Sequence, residues 1–108
     1  MTMQEAVATA PSARARSLVR GAYDLHVHVA PDVPPRRIDD RSLAERFAEL
    51  GLAGFALKSH YTSTAERAQI VSGLFADVEV LGTLTLNRAV GGMNALAVEI
   101  AAREGARS

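Results

Sequence analysis

Residues 24–32 read DLHVHVAPD, from Asp24 through His26 and His28 to Asp32. With Ala22 and Tyr23 in front, the run alternates polar and apolar residues as a half-buried strand does. Successive strand side chains point to opposite faces. Leu25, Val27 and Val29 therefore fall on one face, and Asp24, His26 and His28 on the other. The strand runs into a loop, APDVPPRRIDDR, whose Pro31, Pro34 and Pro35 remove backbone donors and oppose both helix and central strand. Two histidines thus sit at the tip of a strand, on its polar face.

The same rhythm recurs downstream. Ser42 to Leu50 reads as a helix, with Leu43, Phe47 and Leu50 at helical intervals, Ser42 and Glu45 at capping-box spacing, and Gly51 as a stop. GFALKSHY, residues 54–61, is a second strand. In TSTAERAQIVSGLF, Ser63 and Glu66 again have capping-box spacing, and Ala68, Val71, Leu74 and Phe75 form the expected buried stripe. VEVLGTLTLN, residues 78–87, is a third strand. After RAVGGM, Asn94 caps a third helix with Leu96, Ile100 and Ala101 on one face and Gly105 at its end. Residues 1–20 read as an N-terminal tail in which Ser12 to Arg20 can form a short helix.

The order β-α-β-α-β-α places the chain in the α/β class, with a parallel sheet and right-handed crossovers. Three parallel strands do not close a barrel, which takes eight strands and typically ~250 residues. Two architectures follow. Residues 21–108 are either the first three units of an incomplete TIM-type (β/α)8 barrel or a complete small open sandwich. Strands of an open doubly wound sheet are apolar on both faces. Here each strand keeps a polar-tolerant face: Asp24, His26 and His28; Ala56, Lys58 and His60; Thr83, Thr85 and Asn87. Polar groups gathered at C-terminal strand ends are expected at a barrel mouth, so the partial barrel is the expected architecture.

On a strand, side chains two apart lie about 6–7 Å from each other. Two imidazoles at that spacing can converge on one cation. His60, at the equivalent end of the next strand, is a third candidate ligand. Asp24, deeper on the face, is a candidate to orient a histidine from behind. A strand with one solvated face gives the same His-x-His pattern without any metal. Lys58 faces the barrel side, where an unpaired ammonium is costly; it contacts an anionic substrate, pairs with Asp24, carries a modification or snorkels out of the strand end. Asn87, with Gly91, Gly92 and Asn94, forms a strand-end loop able to approach a substrate. Arg36 in the first loop is a candidate grip for a carboxylate or phosphate.

Taken in order, DLHVHVAPD, ALKSHYTSTAERA and GTLTLNRAVGGMNALAVEIAAREGAR resemble the N-terminal part of amidohydrolase-like metal-dependent hydrolases, which are (β/α)8 barrels. The resemblance covers residues 17–108. It implies that His26 and His28 match the strand-one metal ligands, that a divalent metal (zinc first, manganese or iron next) activates water, and that the substrate is a small polar or anionic molecule. It also implies further ligands and a catalytic aspartate from strands four to eight, which do not follow AAREGARS here. The isolated chain is therefore expected to be inactive, and no general base is assigned.

Composition narrows the alternatives. Twelve basic and twelve acidic residues cancel, which gives no electrostatic footprint for nucleic acid or an anionic membrane. There is no cysteine, so disulfides and thiol nucleophiles are excluded. No apolar run approaches the ~20 residues of a membrane span. The cytoplasm is the expected compartment, although the arginine-rich N-terminus has some character of a transit peptide. The rival to the hydrolase is a catalytically inactive barrel fragment, an α/β module that assembles with copies of itself or with a missing C-terminal barrel portion.

Overall fold

Phe55 and Leu57 of one strand, Val80 of its neighbour and Val78 just before that neighbour are all buried in one apolar cluster. Ala44 and Phe47 from one helix and Ala68 and Val71 from the next close that cluster from above. The structure, a computed structural model, describes residues 10–108. The part of the expected tail in residues 1–9 lies outside the described residues.

The elements follow the expected alternation: α1 (Ala13–Leu18), β1 (Tyr23–Val27), α2 (Asp40–Leu50), β2 (Gly54–Leu57), α3 (Ala65–Leu74), β3 (Glu79–Gly82) and α4 (Ala95–Arg103). A single 3-10 turn, Arg88–Val90, precedes α4. The three strands form one parallel sheet in the order β1-β2-β3. Sequential order with α2 and α3 in the same apolar cluster places both crossover helices on one face of the sheet. A doubly wound sheet would instead reverse its order at a switch point and cover both faces.

The strands are shorter than their alternation predicts. β2 ends at Leu57, so Lys58 and His60 lie in the loop beyond it, and β3 ends at Gly82, so Thr83, Thr85 and Asn87 also lie beyond their strand. Two expected capping boxes are corrected. Asp39, not Ser42, caps α2, because its Oδ1 accepts the Ser42 N–H at 2.6 Å. Thr64, not Ser63, holds the N-cap position of α3, and it makes no side-chain cap bond, since its hydroxyl donates to the Leu57 carbonyl at 2.6 Å and accepts from the Thr83 N–H at 2.8 Å. Gly51 ends α2 in the left-handed region at φ 71°, as expected. Asn94 caps α4 by accepting from the Ala97 N–H.

The expected apolar stripes are only partly buried. Leu74 of α3 and Leu96 and Ile100 of α4 are exposed, and Ala101 is the one buried residue of α4. After α4 the chain returns to the free edge of β3: the Arg107 N–H donates to the Gly82 carbonyl and the Leu84 N–H to the Ser108 carbonyl, both at 2.8 Å. No helix among the described residues is long and apolar enough to cross a membrane.

Candidate functional site

The strict alternation expected of β1 is interrupted. Tyr23 pairs with Gly54 and Asp24 with Phe55, but Val27 pairs with Leu57. Three steps along β1 therefore match two along β2, and β1 carries one extra residue. Leu25 consequently does not share the buried side with Val27 and Val29; it is 64% exposed. Asp24 stabilises this irregular backbone, because its Oδ1 accepts the His26 N–H at 3.0 Å. The Asp24 carboxylate is thus a local backbone clasp for His26 and is not bonded to either imidazole.

His26, within the bulged stretch, meets His28 just past it. Their Nε2 atoms are 3.2 Å apart, with ring centroids at 5.2 Å. Two imidazole nitrogens about 2.1 Å from one cation stand roughly 3.4 Å apart in tetrahedral and ~3.0 Å in octahedral geometry. The observed spacing fits either. With no cation between them, the same distance is that of a hydrogen bond in which one Nε2–H donates to the other ring. His28 Nδ1 is buried and has no hydrogen-bond partner. A ligating histidine ordinarily donates that second N–H to an acceptor, a bond His28 does not make among the described residues.

His60 reaches the pair from the β2–α3 loop. Its ring stacks on His28 with centroids at 4.6 Å and planes 15° apart. It presents a ring face, and among the described residues no three His, Asp or Glu side chains converge on one cation position. Asn87, expected to contact substrate, donates its amide to the His60 carbonyl at 3.1 Å and so positions that loop. Ser59 helps from within the loop by accepting the Tyr61 and Thr62 N–H groups. Lys58 is half-buried beside β1, its backbone N–H donating to the Val27 carbonyl at 2.8 Å. It makes no ion pair among the described residues, and so is not paired with Asp24.

Two ion pairs brace the loop after β1. Arg36 Nε donates to Asp32 Oδ2 at 2.8 Å, and the Asp32 side chain is only 4% exposed. Burial alone would raise the Asp32 carboxyl. The Arg36 and Val33 hydrogen bonds and the charges of Arg36 and His28 outweigh it and hold the group below its usual range. Arg67 of α3 donates to Asp40 at 3.0 Å and to the Ala30 carbonyl at 3.2 Å, two residues beyond His28. His28 itself is pushed below the ordinary imidazole range. Burial is the largest cause, followed by the positive charges of His60, Arg36 and His26, with Asp32 opposing. A histidine kept neutral at neutral pH is ready to accept a cation.

The sequence pointed to His26, His28 and His60 because strand ends collect functional side chains. It did not single out Arg67 or Thr64, which lie within a helical pattern and just before it; only the packing of α3 on the two loops gives them their partners. Asp32 and Arg36 have i,i+4 spacing, a signal masked by the surrounding prolines.

No curated protein and no solved structure matches the chain. The sequence profile of one family covers residues 21–108, the whole sheet and the histidine cluster included: the chain belongs to DUF6282, a family of unknown function.

Proposed function

We propose that this domain is the metal-binding N-terminal part of an amidohydrolase-like metal-dependent hydrolase with a TIM-type (β/α)8 barrel. The observation that carries the reading is the 3.2 Å approach of His26 Nε2 to His28 Nε2 at the C-terminal end of a parallel strand. The barrel reading is supported by three features: the sequential strand order, helices α2 and α3 in one cluster, and the return of the chain to the β3 edge after α4. In such a barrel the face opposite the helices is the interior, which accounts for the exposure of Tyr23 and Leu25 here.

His26 and His28 would hold the cation, zinc first and manganese or iron next. When bound, it supplies Lewis acidity and lowers the pKa of a coordinated water. The protein's own groups set the stage. Asp24 fixes the His26 backbone, the buried setting keeps His28 neutral, and Arg67 and Asn87 hold the loops that carry the rings. A third ligand and a general base are not among the groups described, and His28 Nδ1 has no hydrogen-bond partner among the described residues. The test is a calorimetric titration with zinc, manganese and ferrous iron. Wild type should take up one equivalent, and the His26→Ala/His28→Ala double variant none. Equal uptake by both proteins would reject the assignment.

The non-catalytic reading has its own observation: Leu96, Val98 and Ile100 leave α4 with a broad exposed apolar surface. It predicts self-association that is independent of metal. Light scattering at increasing concentration, with and without zinc, separates the two readings.

A further inference from the structure

Ala30 closes the loop after β1 on itself. Its N–H donates to the Ile38 carbonyl at 2.9 Å, and its carbonyl accepts the Asp40 N–H at 3.0 Å. These bonds pinch the loop shut at its base, two residues past His28. A second donor reaches the same carbonyl from outside the loop. Arg67 Nη2 donates to it at 3.2 Å, while Arg67 Nε donates to Asp40 Oδ2 at 3.0 Å. One guanidinium therefore grips both ends of the pinch, Ala30 and Asp40. Both charged side chains are half-buried, and each meets the other's charge. The planar fork of an arginine holds two acceptors at a fixed separation, so the contact is a brace with a defined geometry.

Arg67 stands in the first turn of α3, and the loop leading into that helix carries His60. The two histidine-bearing loops are thus joined twice. One joint is the His28–His60 stack itself, with centroids at 4.6 Å and planes 15° apart. The other is Arg67, which belongs to the helix after His60 and bonds the backbone just after His28. A stacked ring pair contributes less than hydrogen bonds from a charged donor, so the second joint decides where the first one forms. We infer that Arg67 is a positioning residue for the histidine site: by tying the Ala30 carbonyl and Asp40 to α3, it fixes His28 against His60 and so sets the approach of His28 to His26. The consequence for zinc rests on the metal-binding reading; the consequence for the rings does not.

The test follows the ring protons of His28 and His60 by NMR in the full chain, first metal-free and then with zinc. In the metal-free wild type, each ring's signals should be displaced by the current of the ring that faces it. Arg67→Gln alone would strand the Asp40 charge, so the neutral pair Asp40→Asn/Arg67→Gln is used, and there the displacement should be largely lost. Arg67→Lys keeps the charge beside Asp40 but gives up the fork, and should show the same loss to a smaller degree. If the neutral pair does not fold, Arg67→Lys carries the test by the same criterion. Zinc affinity should fall about tenfold or more in the neutral pair. Ser72→Ala is the control for general loosening. It removes the α3 hydroxyl that accepts the Val80 N–H at 2.9 Å and donates to the Val80 carbonyl at 3.3 Å, so it should lower stability and leave the ring signals and zinc affinity as in wild type. Ring displacements unchanged in the neutral pair, or lost equally in Ser72→Ala, would overturn the positioning role, as would zinc binding by the neutral pair as tight as that of wild type. A ring response to Arg67 in a wild type that takes up no zinc would leave the positioning standing and remove the metal reading.

Discussion

β1 and β2 are hydrogen-bonded neighbours, yet they carry opposite duties. All four residues of β2 are buried, and Phe55 meets Phe47 of α2 edge-on at 5.0 Å. None of the five residues of β1 is buried, and Tyr23 and Leu25 remain largely exposed. β2 is the keel on which α2 and α3 sit. β1 is a ledge whose bulge, Asp24 clasp and braced loop hold two histidines together. Stability and site geometry are thus separated by a single strand spacing, and substitutions in the two strands should have effects of different kinds.

The largest effect belongs to the keel. Phe55→Ala should cost about 3–5 kcal/mol, a large part of the stability of a small domain, and urea unfolding followed by circular dichroism measures it. Even the smallest side chain fails at Gly54, where an added Cβ would run into the Glu79 carbonyl. Next comes the polar joint between β2, β3 and α3. Thr64→Val removes the acceptor of the buried Thr83 N–H, while the Leu57 carbonyl keeps the Thr83 hydroxyl, and should cost roughly 1–3 kcal/mol in the same assay. On the ledge, His26→Ala/His28→Ala should change metal-free stability by less than ~1 kcal/mol while abolishing zinc uptake. Leu25→Ser should fall within about 0.5 kcal/mol of wild type. A Leu25 effect as large as that of Phe55 would mean that β1 is buried in solution and that the comparison fails.

The pH response belongs to the loop that follows β1. His28 has a folded pKa below its unfolded value, so its contribution is present above the ordinary imidazole range and is lost as pH falls through the depressed folded value. Asp32 is likewise depressed, and its contribution persists above the ordinary carboxyl range and is lost at lower pH still. Acid titration of stability should therefore show two losses. The first should vanish in His28→Ala and the second in Asp32→Asn/Arg36→Gln.

The alternation of elements was legible because helical and strand periods alternate cleanly along the chain, and because Gly51 and Asn94 act as stop and cap. Strand lengths were not, since Lys58, Thr83 and Asn87 continue the polar-apolar rhythm into loops whose hydrogen bonds are set by distant residues. The β1 bulge was hidden for a related reason: a perfect period-two sequence carries no mark of an extra residue that an Asp24 side chain stabilises. The capping boxes misled where a neighbour had a better use for its side chain, as Asp39 did for α2 and Thr64 for the β3 contact. The histidine pair was legible as a spacing. The stacking of His60 and the burial of Asp32 depend on how two loops fold over the sheet, which no local pattern records.

The central claim is that His26 and His28 bind one cation together through Nε2. The most direct measurement is imidazole 15N NMR of the full chain as zinc is added to one equivalent. The Nε2 signals of His26 and His28 should move together to the metal-bound range and saturate at stoichiometry, with Nδ1 carrying the proton on both rings. If instead one Nε2 keeps its proton and the pair is unchanged at stoichiometric zinc, the 3.2 Å contact is a hydrogen bond between two rings and the metal-centre account is wrong.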